Sequence, residues 1–276
     1  MVNALRPAWV EAARQRIGAV LNRPATMLDG AGVGRRLFSL LFWAFVAASS
    51  IVLFLVALVI WAVTAPFDQR LVALHRFTCF WASLYSWLNP AWRVRVEGRE
   101  KIRPGVAYVM VANHQSLLDI LVLFRLFVHF KWVSKVEIFR VPCVGWNMRL
   151  NRYIALQRGD RASIAQMMAD CERTLAEGSS VMIFPEGTRS HDGVLQPFKH
   201  GAFTLALRSG VPLLPIVVEG TSRALPKRGF VLQGRHHINI RVLDEIPFER
   251  FAEMPVEALT TTVRERFAAA LHEEQA

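Results

Sequence analysis

The chain has 276 residues, 53% of them hydrophobic, and 33 Lys or Arg against 22 Asp or Glu give a net charge of +11. That length suits one large domain with an appendage, and the apolar share points to membrane contact. The three cysteines, Cys79, Cys143 and Cys171, lie far apart without metal-ligand spacing, which excludes a disulfide framework and fits reduced thiols facing the cytosol.

The charge is unevenly placed. Residues 91–240 carry 21 Lys or Arg against 11 Asp or Glu, whereas residues 241–276 carry 4 against 8. A basic central segment attracts anionic lipid surfaces, phosphorylated substrates or acidic carrier proteins. Nucleic acid is not expected as a partner. Zinc-finger spacing and RNA-binding aromatic motifs are lacking, and the first third of the chain is strongly apolar.

In chain order, residues 8–22 put Trp9, Val10, Ala13, Ile17, Val20 and Leu21 on one helical face. This basic amphipathic helix lies either on a membrane surface or on the protein's own domain. Residues 24–34, with Pro24, Gly30, Gly32 and Gly34, read as a linker. Leu37 to Phe67 has no charged residue. As a helix most of it would be ~40 Å long, enough to cross a ~30 Å hydrocarbon core. Pro66, Phe67 and Asp68 break the run before a second apolar stretch, Leu71 to Trp92, rich in aromatics.

Arg35-Arg36 and the basic segment after Trp92 both belong on the cytoplasmic side. A hairpin keeps them together, whereas a single crossing separates them. The expected organisation is a basic N-terminal segment over 1–36, a membrane-embedded helical hairpin over 37–92, and an α/β domain over 93–276. The expected location is the cytoplasmic membrane, with the domain facing the cytoplasm.

Within the domain, strands are predicted at Val94–Glu97, Val106–Ala112, Phe130–Val136, Tyr153–Leu156, Val181–Phe184, Val211–Val218 and Ile238–Val242. Pro212 and Pro215 mark strand ends or an edge position. Val141–Trp146 reads as a loop. Ile164, Met167, Met168, Cys171 and Leu175 recur at helical spacing, with Gly178 closing that helix. Pro255, Val256, Leu259, Val263 and Phe267 give a final helix. Strands alternating with helices predict an α/β fold, a mixed sheet flanked by helices.

The strand Val106–Ala112 delivers Asn113-His114-Gln115-Ser116-Leu117-Leu118-Asp119 to its carboxyl end, where open α/β sheets place ligands. If the turn bends into a helix, Asp119 reaches one imidazole nitrogen of His114 and leaves the other free to take a proton. The bland reading is a satisfied core histidine beside a helix-terminal aspartate. Gly-x-Ser-x-Gly is absent, which leaves the nucleophile to the substrate.

A second group, Phe184-Pro185-Glu186-Gly187-Thr188-Arg189-Ser190, ends another strand. Gly187 permits a tight turn, Arg189 offers a planar fork for phosphate or carboxylate, and Glu186 accepts substrate hydroxyls or holds Arg189. An ordinary surface turn with an ion pair is the plain alternative.

These two groups, with Lys135-Val136-Glu137 through Gly145 to Arg158 between them and Val211-Pro212-Leu213-Leu214-Pro215-Ile216 after them, form four ordered blocks. The arrangement resembles the glycerolipid acyltransferase family over residues 94–220, with one departure: Gln157 stands where an aspartate often precedes the arginine. The resemblance implies transfer of an acyl chain from a thioester of acyl carrier protein or coenzyme A to 1-acyl-sn-glycerol 3-phosphate. It implies His114 as base and Asp119 as its orienter. Arg158, Glu186, Gly187, Thr188 and Arg189 would bind the acceptor, with Lys135 as a further phosphate ligand. Oxyanion stabilisation would come from backbone N–H groups near the helix start. No metal or cofactor is implied beyond the thioester co-substrate. Another lysolipid acceptor, such as lyso-ornithine lipid, or a non-catalytic lipid-binding role are the rival readings.

Overall fold

The computed structural model describes residues 30–190, 193–227 and 229–272. The amphipathic helix expected over 8–22 lies outside the described residues.

Among the described residues seven strands form one sheet: β1 (Trp92–Glu97), β2 (Val109–Ala112), β3 (Phe130–Lys135), β4 (Ile154–Leu156), β5 (Ser180–Ile183), β6 (Leu213–Glu219) and β7 (His236–Val242). Their order is β1-β7-β6-β2-β5-β3-β4, all neighbours being parallel except β6 and β7. The sheet is therefore mixed, as the alternation of strands and helices predicts.

Side-chain alternation along each strand divides the core in two. Met110, Ala112, Met182, Leu214, Ile216 and Val218 point to one face, and Val109, Val111, Val181, Leu213 and Val217 to the other. Helices cover both faces. α1 (Gly30–Thr64), α2 (Val72–Leu88), α3 (Leu118–Leu123) and α4 (Val144–Leu150) lie on the first. α5 (Arg161–Ala176), α6 (Gly201–Ser209) and α8 (Val256–His272) lie on the second, and the single turn α7 (Thr221–Ala224) follows β6.

Several local expectations change. Pro215 sits inside β6, which is an internal strand rather than an edge. Its missing N–H falls where β7 ends: the β6–β7 ladder begins at Ile216↔Val242, and Pro215 only accepts, from the Leu243 N–H at 3.0 Å. The segment read as a loop, Val141–Trp146, instead runs into α4. The predicted linker overlaps α1, which begins at Gly30.

The helical pair α1–α2 is present, yet its arms differ. Residues Gly32–Thr64 of α1 are long and apolar enough to cross a membrane, and only 11% of the most apolar stretch is buried within the protein. α2 instead has a buried inner face that includes Leu74, His75, Thr78 and Cys79. His75 is fixed by the Tyr153 hydroxyl at 2.8 Å and the Val128 carbonyl at 2.9 Å. A polar, buried inner face of this kind makes α2 part of the domain's own core. The arms are joined by the Tyr85 hydroxyl, which lies 3.1 Å and 3.2 Å from the Ser49 and Ser50 hydroxyls of α1.

Candidate active site

β2 and β6 run parallel up to Ala112↔Ile216. Asn113 then extends the pairing with its side chain: Nδ2 donates to the Val218 carbonyl at 2.8 Å and Oδ1 accepts from the Val218 N–H at 2.7 Å. This extra rung fixes the departure point of the following loop. The partner is 105 residues away, so no local pattern in the sequence marks this role of Asn113.

The loop then closes around Asp119, which is fully buried. Its Oδ2 accepts from His114 Nδ1 at 2.8 Å, from the Gln115 N–H at 2.6 Å and from the Ser116 N–H at 2.8 Å. Its Oδ1 accepts from the Thr221 hydroxyl. An ionised carboxylate only accepts, so His114 carries its proton on Nδ1 and Nε2 presents a lone pair. Nε2 makes no hydrogen bond to a described residue, and the His114 residue is 9% exposed. The ring stacks on Phe184 with centroids 3.9 Å apart, and Phe184 stacks in turn on Trp132.

The turn after β5 meets this loop directly. The Ser190 N–H donates to the His114 carbonyl at 2.7 Å. Glu186 lies beneath the turn, with Oε1 accepting from the His114 N–H at 2.6 Å and Oε2 from the Gln196 N–H at 2.9 Å. Burial pushes its carboxyl up to about 7, against the lowering effect of those two amides. Both oxygens are thus committed to the backbone. Glu186, expected to bind acceptor hydroxyls or hold Arg189, is a brace between the two loops.

Gly187 has φ +67°, and a Cβ there would lie 3.0 Å from Lys199 Cε and Nζ. The lysine stem therefore lies over the turn, and the left-handed backbone is what favours glycine here. Thr188 is exposed and Arg189 partly exposed. The Arg189 carbonyl is held by Lys227 Nζ at 2.6 Å, a contact the sequence gives no means of foreseeing.

The remaining expected residues stand further along the same sheet edge. In the order β2-β5-β3-β4, Lys135 ends β3, and Arg158 follows β4. At ~4.8 Å per strand they are offset from β2 by ~10 Å and ~14 Å. Lys135 pairs with Glu137 at 2.9 Å, and Arg158 is exposed. The helix-start amides expected to stabilise an oxyanion are also accounted for: those of Gln115 and Ser116 are occupied by Asp119. Among the described residues no group of three or more His, Cys, Asp or Glu could hold a metal ion.

The carboxyl edge of the sheet thus carries an oriented imidazole beside a turn bearing a guanidinium. Such a pair can remove a proton from a hydroxyl and hold an anion next to it.

Comparison with known proteins agrees with this chemistry. A family model described as Acyltransferase matches residues 93–219. The chain is 38% identical over 190 residues to a 1-acyl-sn-glycerol-3-phosphate acyltransferase of Chlamydomonas reinhardtii, covering 68% of this chain and 57% of that protein. It is 38% identical over 185 residues to a chloroplastic enzyme of the same name from Arabidopsis thaliana, covering 66% and 50%. The chain spans little more than half the length of these curated relatives. The crystal structure of a 1-acyl-sn-glycerophosphate acyltransferase from Thermotoga maritima superposes with a TM-score of 0.70 at 24% identity, over 88% of this chain and 98% of that one. That likeness establishes the fold. Through residues 93–219, which hold both the His114–Asp119 pair and the Glu186–Arg189 turn, the chain belongs to the acyltransferase family.

Proposed function

We propose that this protein transfers an acyl chain from a thioester to the sn-2 hydroxyl of 1-acyl-sn-glycerol 3-phosphate, giving phosphatidic acid. The observation that carries the reading is the buried Asp119 holding His114 with Nε2 unoccupied by any described residue. Nε2 takes the hydroxyl proton as the oxygen attacks the thioester carbonyl. The C–S bond breaks as the tetrahedral intermediate collapses, and the imidazolium returns the proton to the departing thiolate. Asp119 stabilises the imidazolium throughout. Arg189 and Thr188 receive the acceptor's phosphate at the adjacent turn, and Lys135 and Arg158 extend the cationic edge.

The donor is the thioester of acyl carrier protein or coenzyme A, both acidic and suited to a chain of net charge +11. The acceptor and product are lipids. We place the protein at a cytoplasmic membrane, with α1 as the element that enters it. Purified protein is to be given labelled acyl thioester of each kind with lysophosphatidic acid, glycerol 3-phosphate and lyso-ornithine lipid in parallel. Product from lysophosphatidic acid alone upholds the proposal, and product only from another acceptor moves the chain to a different acceptor class.

Two expectations arise from the turn. Arg189→Ala should raise the KM for the acceptor by about tenfold to hundredfold, the equivalent of a lost charge-assisted contact, and leave the donor's KM within about twofold. An effect confined to the donor would reassign Arg189 to the thioester side.

Glu186 gives a pH signature. Its two amide partners need both oxygens as acceptors, so the brace is complete only when the carboxyl is ionised, above about 7. Transfer should rise with pH through that region, and Glu186→Gln should lower the rate about tenfold and remove this component of the rise. Stability runs the other way. A carboxyl raised above its ordinary value of 4.5 holds its proton longer when folded, so its contribution is full below 4.5 and lost as pH climbs through about 7. Activity and melting temperature measured from pH 5 to 8 separate the two trends.

A further inference from the structure

The pairing of His114 with Asp119 is legible in the sequence. What holds the far side of the carboxylate is not. Asp119 Oδ1 points away from the imidazole and has one hydrogen-bond donor among the described residues, the Thr221 hydroxyl. Asp119 and Thr221 are both fully buried, so no solvent competes for either group.

Thr221 lies just beyond the end of β6, 102 residues away from Asp119. It opens the single turn after β6, and its place is set by Gly220. That glycine has φ +82°, and a Cβ there would lie 2.1 Å from the His237 carbonyl oxygen. No side chain fits, so the backbone of β6 turns sharply against β7 and presents Thr221 to the carboxylate.

The contact is one side of a closed ring of hydrogen bonds. The Ser116 N–H donates to Asp119 Oδ2 at 2.8 Å, and Ser116 Oγ donates to the Leu225 carbonyl at 2.7 Å. The Leu225 N–H donates to the Thr221 carbonyl at 2.9 Å, and the Thr221 hydroxyl returns to Asp119 Oδ1. The ring ties the carboxyl ends of β2 and β6 together through the carboxylate itself. With both oxygens engaged, the carboxylate cannot rotate away from His114 Nδ1.

We propose that Thr221 is a positioning residue of the reaction, acting through Asp119 to hold the plane and charge of the carboxylate that orients His114. This inference rests on the acyl-transfer reading given above. It distinguishes the Thr221 hydroxyl, which donates, from its methyl group, which only packs. A donor on Oδ1 draws negative charge away from Oδ2. Without it, more of that charge faces the imidazole, and the protonated ring is favoured. Other ionisable groups nearby are Glu186, which accepts from the His114 N–H, and Arg264 of α8, which acts on Glu186.

The test compares Thr221→Val, of the same shape without the donor, with Thr221→Ser, which keeps it. Two readouts are taken on the full chain. The first is steady-state kinetics with lysophosphatidic acid. The second is NMR titration of the ring in histidine-labelled protein, assigned by the signal lost in His114→Ala. The expected result for Thr221→Val is a fall in kcat of about tenfold to hundredfold, the rate equivalent of a hydrogen bond to a charged group. The acceptor KM should stay within about twofold, and the His114 titration should move to higher pH. Thr221→Ser should restore both. Wild-type kcat and titration in Thr221→Val would overturn the proposal. So would equal impairment of the Val and Ser variants with an unmoved titration, because that pattern marks packing alone. Thr221→Ala gives the same contrast with Ser if Thr221→Val does not fold. Absence of transfer by the wild type would refute the acyl-transfer reading, and the titration would still decide whether Thr221 acts on the pair.

Discussion

His114→Ala is expected to lower acyl transfer by about a thousandfold or more, the upper range for loss of a positioned general base. The protein should stay folded. Among the described residues the imidazole makes one side-chain hydrogen bond, to Asp119, and stacks on Phe184. Its removal leaves the carboxylate with the Gln115 and Ser116 amides and the Thr221 hydroxyl. The loop is still tied through the backbone of residue 114, whose N–H reaches Glu186 and whose carbonyl receives the Ser190 N–H. Circular dichroism and a thermal melt should therefore match the wild type within a few degrees. A variant that kept more than a few per cent of activity would remove His114 from the role of base.

Asp119→Leu should abolish activity to a similar degree and, unlike His114→Ala, destabilise the fold. The carboxylate is fully buried and is the acceptor for two backbone amides and one hydroxyl besides the imidazole. An apolar side chain leaves those donors unsatisfied, at about 1–3 kcal/mol each. The total for the two amides and the hydroxyl is about 3–9 kcal/mol, or a fall in Tm of ~6 °C or more. The contrast separates the two residues. His114 belongs to the chemistry alone, whereas Asp119 belongs to the chemistry and to the loop that carries it. A stable, inactive Asp119→Leu protein would contradict the central place given to the carboxylate.

The sequence revealed most where its signal is local. The strands were legible because valine-rich runs alternate or lie buried between turn residues, and each predicted strand has its counterpart in the sheet. His114 and Asp119 were legible because five residues suffice to bring them together. Features set by distant partners were not. Thr221 and Asn113 act through partners more than 100 residues away, and neither carries a local mark beyond a glycine or a turn. Glu186 was assigned to a ligand because a carboxylate in a polar turn looks available, yet its partners are backbone amides, which composition cannot show.

The helical pair illustrates the same limit. α1 and α2 are both rich in apolar and aromatic residues, but α2 buries His75 and Thr78 on polar partners in the domain, Tyr153, Val128, Asn147 and Asn151. Deleting residues 1–92 as a test of membrane attachment would therefore also remove part of the core. A cut that spares α2 is the informative one. The four-residue turn α7 and the helix α6 carry no legible sequence signal, because neither has a run long enough to show a period.

The account stands on one proton transfer, from the acceptor hydroxyl to His114. The most direct test is the rate of phosphatidic acid formation from lysophosphatidic acid and labelled acyl thioester, measured side by side for purified wild type and His114→Ala. The predicted result is product from the wild type with either or both thioester donors, and a rate at least about a thousandfold lower from the variant at unchanged fold. Equal rates from the two proteins would contradict the assignment of the base. Absence of product from the wild type would contradict the proposed reaction itself.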